Sequence, residues 1–273
     1  MEKDAVYLRN QVYEMKKDAL KMALDAGRNG SHLGGGFSCM EILAVLHLKV
    51  MDLSRDRFFI GKAHGVLAYY TALKQAGYVS AEDLASFETN GSAFSGHPVR
   101  DLTKKIYYSG GSLGMALSVA VGSAYHLRRT VPAAKVYVLL GDGECQEGSI
   151  WEAAMTAAHF RLSNLICIID KNRLQYDAST ADLLGVDDFC QRFAAFGWNT
   201  VKVNGHDPAD LTKALVQTNE NQPLLVEALT KKGNGISFMQ DNLDYHHHEL
   251  SLKNYEIAMA ELAKEYEQYA GNI

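Results

Sequence analysis

The sequence predicts an α/β fold: a doubly wound, mostly parallel sheet with helices on both faces. Two observations carry this. Short apolar runs at 136–140, 165–169, 198–203 and 223–229 alternate with segments of helical periodicity, and strands apolar on both sides belong to sheets covered on both faces. No repeat, low-complexity linker or charge run divides the 273 residues. The expectation is one domain over 1–273 with a long helical N-terminal portion.

Leu8, Val12, Met15, Ala19 and Met22 recur at three- and four-residue steps and stop at Gly27, the pattern of an amphipathic helix with a glycine C-cap. Residues 40–51 and 66–77 read as further helices, the first more buried. Ser80 with Asp83 three residues on is a capping box with Asp in place of Glu. A helix over 112–129 carries Gly114 and Gly122, which implies close packing. Helices are then expected at about 149–160, 187–196, 207–219 and 252–270, between and after the strands.

Composition narrows the function. Nearly half of the chain is apolar (47%), enough for a large core. A net charge of −5 without a basic block argues against a nucleic-acid partner, which needs clustered Lys and Arg. The N-terminus is polar and no apolar stretch reaches the roughly 20 residues of a membrane span, so no membrane partner and a cytoplasmic location are expected. Cys39, Cys145, Cys167 and Cys190 lack CxxC spacing, which favours buried or free thiols over a zinc site or disulfides.

The chemistry concentrates in 141–172, where "GDG" directly follows one apolar run and "DKN" directly follows the next. Ligands of an open parallel sheet sit at the carboxyl ends of its strands. Asp142 and Asn172, one crossover apart, can converge there. A carboxylate and an amide oxygen suit a hard divalent ion that takes further oxygens from a phosphate. The glycines let backbone N–H groups approach that phosphate, and the helix near Ser149 offers its positive end. On three residues alone GDG reads more readily as a turn with Asp142 as a helix cap, and it is the spacing to DKN and the strands before each that favour the ligand site.

The stretch "GDGECQEGSIWEAA…IIDKNRLQ" resembles the thiamine diphosphate motif as transketolases carry it. The likeness extends through "GSHLGGGFSCMEILAVL", "DRFFIGKAHG", "SGHP", "GGSLGMALSVAVG", "RFAAFGWNTVKVNGHD" and "GNGISFMQDN". The chain looks most like the separately encoded N-terminal half of a split transketolase.

The resemblance implies the thiamine-diphosphate-binding fold, diphosphate-type domain, and transfer of a two-carbon ketol unit between a ketose donor and an aldose acceptor. It implies thiamine diphosphate with Mg²⁺ or Ca²⁺ as cofactors. Asp142, Asn172 and the carbonyl of Leu174 match the metal ligands, and Gly143 matches a diphosphate contact. Gly111 and Leu113 match positions near the cofactor rings, and Tyr176 stands where an aliphatic residue contacts the cofactor. His32, His64, His97 and His246 match histidines of the substrate channel, where imidazoles titrating near neutrality would move protons. His32 and His97 lie in glycine-containing loops, and His64 follows a strand. Glu147 and Glu152 match glutamates that link paired active sites across a subunit interface. Departures are Gly110 for Thr, Met115-Ala116 for Gln-Gly, Arg173 for Gly and "YHHHEL" for W-H-G, the last leaving the register of His246 open.

The resemblance also implies that the pyrimidine-binding and C-terminal domains, with the glutamate that activates the cofactor, stand on a partner chain in an α2β2 assembly, and that this chain is inactive alone. A 1-deoxyxylulose-phosphate-synthase-like or decarboxylating enzyme subunit, and a non-catalytic scaffold with the same fold, are the alternatives.

Overall fold

A computed structural model describes residues 2–185, 187–217 and 221–270. Eleven α-helices are described: α1 (Glu2–Ala26), α2 (Leu33–Phe37), α3 (Met40–Val45), α4 (Val66–Gln75), α5 (Ala81–Ala85), α6 (Ala116–Thr130), α7 (Gly148–His159), α8 (Thr180–Leu183), α9 (Phe189–Ala195), α10 (Pro208–Leu215) and α11 (Leu252–Ala270). Five strands, β1 (Arg57–Ile60), β2 (Val136–Gly141), β3 (Leu165–Lys171), β4 (Asn199–Asn204) and β5 (Leu224–Leu229), form one sheet in the order β1-β2-β3-β5-β4. Every pairing is parallel.

Strand side chains alternate between the two faces, and both faces are buried. Tyr137, Leu139, Ile166, Ile168, Leu224 and Val226 join a core formed with α1, α3, α4, α10 and α11. Val136, Val138, Leu140, Leu165, Cys167, Ile169 and Leu225 join a second core with α6, α7 and α9. This is why the strands read as unbroken apolar runs. The edge strand β4 alone keeps most of its residues partly exposed, and its Lys202 blunts the open edge.

Ser80 and Asp83 form the expected capping box, Asp83 N–H donating to Ser80 Oγ at 3.1 Å and Ser80 N–H to Asp83 Oδ2 at 2.9 Å. Several expectations need correction. The helix over 40–51 continues from α3 as a π-helical turn, Leu46–Val50. The helix expected from 112 begins at Ala116, because Gly114 has φ +81°. Gly122 is not closely packed: a β-carbon there would meet nothing within 4 Å. The helix expected over 187–196 starts at Phe189, capped by Asp188, and that over 207–219 ends at Leu215, residues 218–219 lying outside the described residues. Cys39, Cys145, Cys167 and Cys190 are free thiols, the first three buried. Among the described residues no helix is long and apolar enough to cross a membrane.

Candidate active site

The carboxyl ends of β1, β2, β3 and β5 carry the polar residues that the core excludes. Gly141 pairs with Asp170 in the sheet register, so Asp142 leaves β2 beside the end of β3. Its carboxylate accepts the Gly143 N–H (2.8 Å) and the Arg173 N–H (2.5 Å). Arg173 itself sits at φ +67°, turning the chain so that its N–H reaches across. Burial, joined by the charge of Asp170, pushes the Asp142 carboxyl up to about 6. Such a carboxylate calls for a cation.

Asn172 is oriented at both ends of its amide. Nδ2 donates to Asp170 Oδ2 (3.3 Å) and Ser38 Oγ (3.4 Å), and Oδ1 accepts the Leu174 N–H (3.1 Å). A carboxylate, an amide oxygen and a main-chain carbonyl are all hard donors, and this set fits Mg²⁺ or Ca²⁺ rather than a soft metal. Gly143 lies beneath Gln175, whose Cγ would stand 2.8 Å from a β-carbon at position 143.

Below this turn lies an ion pair with no solvent contact. Lys62 Nζ meets Asp170 Oδ2 and donates to the Gly35 carbonyl (2.8 Å) and Ser38 Oγ (3.1 Å), while Thr230 Oγ1 donates to Asp170 Oδ1. Burial disfavours both charges, yet the pairing outweighs it, so Lys62 is held above and Asp170 below its ordinary range. The network ties the loops after β1, β3 and β5 to α2.

Glu144, which nothing in the sequence marks out, is a second buried anchor. Its carboxylate accepts the Gly114 N–H (3.0 Å) and the Gly141 N–H (3.1 Å), clamping the "GSLG" loop to the start of GDG. Burial pushes it up to about 7. Gly114 meets Glu147 and Ser149 so closely that a β-carbon would stand 2.7 Å from each, and Ser149 Oγ donates to its carbonyl at 2.9 Å. The first turn of α7 thus supports the loop holding Gly111 and Leu113. Gly110 lies where a β-carbon would meet Ala63 Cβ at 2.8 Å, a reason for glycine there.

The histidines converge. Ring centroids of His32 stand 5.5 Å from His64, 5.7 Å from His97 and 5.6 Å from His246, and His64 to His246 is 5.1 Å. Of "YHHHEL", both His246 and His247 stand against His32, at 5.6 and 4.5 Å, and Tyr176 lies edge-on to His246 at 5.0 Å. Lys232 joins cluster and turn: Nζ donates to the Gln175 carbonyl (2.9 Å), the Leu174 carbonyl (3.4 Å) and His246 Nδ1 (2.8 Å). An ammonium has no lone pair, so His246 Nδ1 accepts and the ring proton sits on Nε2. The expectation that these imidazoles titrate near neutrality is overturned for three of them. Burial, with the charges of their neighbours, lowers His32 to about 3, His246 to about 4 and His64 well below its ordinary value, so all three are neutral at pH 7. Glu147 and Glu152 are not part of this cluster and lie exposed at the start of α7.

The family model described as "Transketolase, thiamine diphosphate binding domain" matches residues 19–270. An apulose-4-phosphate transketolase subunit of Phocaeicola vulgatus is 35% identical over 247 residues, covering 87% of this chain and 88% of that protein. The 6-deoxy-6-sulfo-D-fructose transketolase subunit SqwG of Clostridium sp. (strain MSTE9) is 33% identical, covering 97% and 99%. The solved transketolase of Leishmania mexicana superposes with a TM-score of 0.81 at 26% identity, over 98% of this chain and 45% of that one. The chain thus spans less than half of that transketolase's length, and by the family model and its relatives it belongs to the transketolase family, within its thiamine diphosphate binding domain.

Proposed function

We propose that the chain is the diphosphate-binding subunit of a split transketolase, transferring a two-carbon ketol unit from a ketose to an aldose acceptor. The observation that carries this reading is the convergence of His32, His64, His97 and His246 beside the turn of Asp142 and Asn172, joined to it by Lys232. When bound, thiamine diphosphate supplies the carbon nucleophile. Asp142, Asn172 and the Leu174 carbonyl would hold a divalent cation, in our reading Mg²⁺, to neutralise its diphosphate. Gly143 would contact the diphosphate, and Gly111, Leu113 and Tyr176 the rings. The neutral histidines orient the substrate's hydroxyls and carbonyl oxygen through hydrogen bonds. Glu147 and Glu152 face the neighbouring subunit.

We read residues 1–273 as one domain, acting with a second chain that carries the pyrimidine-binding domain and the activating glutamate in an α2β2 assembly. The relatives are named as subunits. Leu113 and Met115 in the loop that would meet the cofactor, Val119 on α6 and Met155 on α7 are also exposed apolar side chains. These features favour ketol transfer over a scaffold role, which would not need a cation-seeking Asp142. The relatives' names likewise favour it over a synthase or decarboxylase. The test is a donor screen of hydroxypyruvate against pyruvate with and without the partner chain. Ketol transfer with hydroxypyruvate only when both chains are present supports the reading. Full turnover by this chain alone, or pyruvate as the preferred donor, refutes it.

A further inference from the structure

The loop that carries His97 is held differently on its two sides. Behind His97 it is tied to the core: the hydroxyl of buried Tyr70 donates to the carbonyls of Ser95 (3.1 Å) and His97 (3.4 Å), and Ser95 Oγ donates to the His97 carbonyl at 2.9 Å. Ahead of His97 it depends on one side chain, Glu88, whose Oε1 accepts the Gly96 N–H. The imidazole itself meets His32 edge-on at 5.7 Å. Among the described residues it has no hydrogen-bond partner, so its place in the cleft is set through its main chain.

Glu88 is fixed in turn. Its N–H donates to the Phe94 carbonyl at 2.9 Å, and its carbonyl accepts Asn29 Nδ2 at 3.0 Å. Asn29 stands three residues before His32, so one residue joins the loops of two cleft histidines. The turn between Glu88 and Gly96 is closed by Ser92, whose Oγ lies 2.8 Å from Ser86 Oγ and accepts the Phe94 N–H at 2.9 Å. Glu88 also holds φ +55°, a left-handed conformation that glycine adopts without strain. Glycine would keep the turn and lose the carboxylate. Such strain persists where a side chain is required at that point.

We propose that Glu88 is a positioning residue, which sets the His97 ring against His32 by holding the Gly96 N–H from a turn anchored on the His32 loop. The proposal rests on the cleft being the ketol-transfer channel. His97 is exposed at the cleft, and a loop displaced by about an ångström would carry its ring off line with the substrate.

The test uses the assembled complex with thiamine diphosphate and Mg²⁺, hydroxypyruvate as donor and glyceraldehyde as acceptor. Glu88→Ala should lower kcat/KM about 10- to 100-fold. Glu88→Gln, which keeps an acceptor for the Gly96 N–H, should stay within about threefold of the parent. Glu88→Gly suits the left-handed backbone and lacks the carboxylate, so it should resist urea at least as well as Glu88→Ala and lose as much activity. A double-mutant cycle separates positioning from general stability: added to His97→Ala, Glu88→Ala should cost less than about threefold more, because the ring it places is already gone. Hydrogen exchange over residues 94–98, read by mass spectrometry, should quicken about 10-fold in the Ala and Gly variants and not in the Gln variant. Losses that multiply in the cycle, activity that follows stability across the variants, or unchanged exchange overturns the proposal. A parent complex that transfers no ketol from hydroxypyruvate, while exchange still depends on the Glu88 carboxylate, would overturn the ketol-transfer reading and leave the link from Glu88 to His97 standing.

Discussion

Lys232 Nζ stands 2.8 Å from His246 Nδ1 and 2.9 Å from the Gln175 carbonyl, so one buried ammonium sets both the tautomer of a cleft histidine and the turn beside Asn172. Burial, and the charge of Lys62, lower it to about 8. Lys232→Met keeps the volume and removes the donors. We expect kcat to fall about 10- to 100-fold in the assembled enzyme, because His246 loses its fixed Nε2 proton. Steady-state kinetics beside urea denaturation checks this, and a stability loss alone, with kcat intact, would make Lys232 purely structural.

Asp142 is a buried carboxylate whose own bonds are two backbone N–H groups. Asp142→Ala should weaken Mg²⁺-dependent thiamine diphosphate binding by more than about 100-fold, beyond the loss typical of an outer-shell partner. Calorimetry on the assembly at saturating Mg²⁺ measures it. Unchanged affinity would remove Asp142 from the metal site.

Glu144 offers a test of positioning without cofactor contact. Glu144→Ala strands the Gly114 and Gly141 N–H groups, at about 1–3 kcal/mol for each buried donor, and frees the loop holding Gly111 and Leu113. Glu144→Gln keeps one acceptor and should lose about half as much. Denaturant unfolding of the chain reads the stability. The same two variants should rank in the same order for cofactor affinity, and an order reversed between the two measurements would refute the clamp.

The pH response of the isolated chain has opposing parts. His47, buried against Phe58 and Tyr69 with Nδ1 3.0 Å from the Leu43 carbonyl, is lowered by burial to about 4. The unfolded chain takes up a proton that the folded chain refuses, so this stability is present above about pH 6.5 and lost as pH falls toward 4. Glu144, raised to about 7, has the reverse sign: its contribution is present below about pH 4.5 and lost as pH rises through 7. His47→Gln keeps a donor for Leu43 and removes the titration. It should shrink the stability difference between pH 6.5 and 4.5 by about 2 kcal/mol, measured by urea unfolding at both values. An unchanged difference would show that His47 does not titrate in that window.

What the sequence by itself determined is what local spacing encodes. Strands β2, β3 and β5 read correctly because each is a compact run of mostly apolar residues, β4 because Thr200-Val201-Lys202-Val203 alternates polar with apolar, and the Ser80–Asp83 box because capping is settled within three residues. GDG and Asn172 were legible for the same reason, one crossover apart in a parallel register. At four residues, β1 was too short to show a period and entered only as the strand before His64. Only tertiary structure decided the rest. The insertion of β5 between β3 and β4 depends on sheet pairing. The Lys62–Asp170 pair closes a separation of 108 residues, and the Glu144–Gly114 clamp one of 30. Neither partner announces the other in sequence, because a buried charge is tolerated only where its counterpart arrives through space. The histidines follow the same logic. Four loops bring them together, and that shared burial moves His32 and His246 to about 3 and 4, a shift that no single residue's neighbours in the chain could foretell.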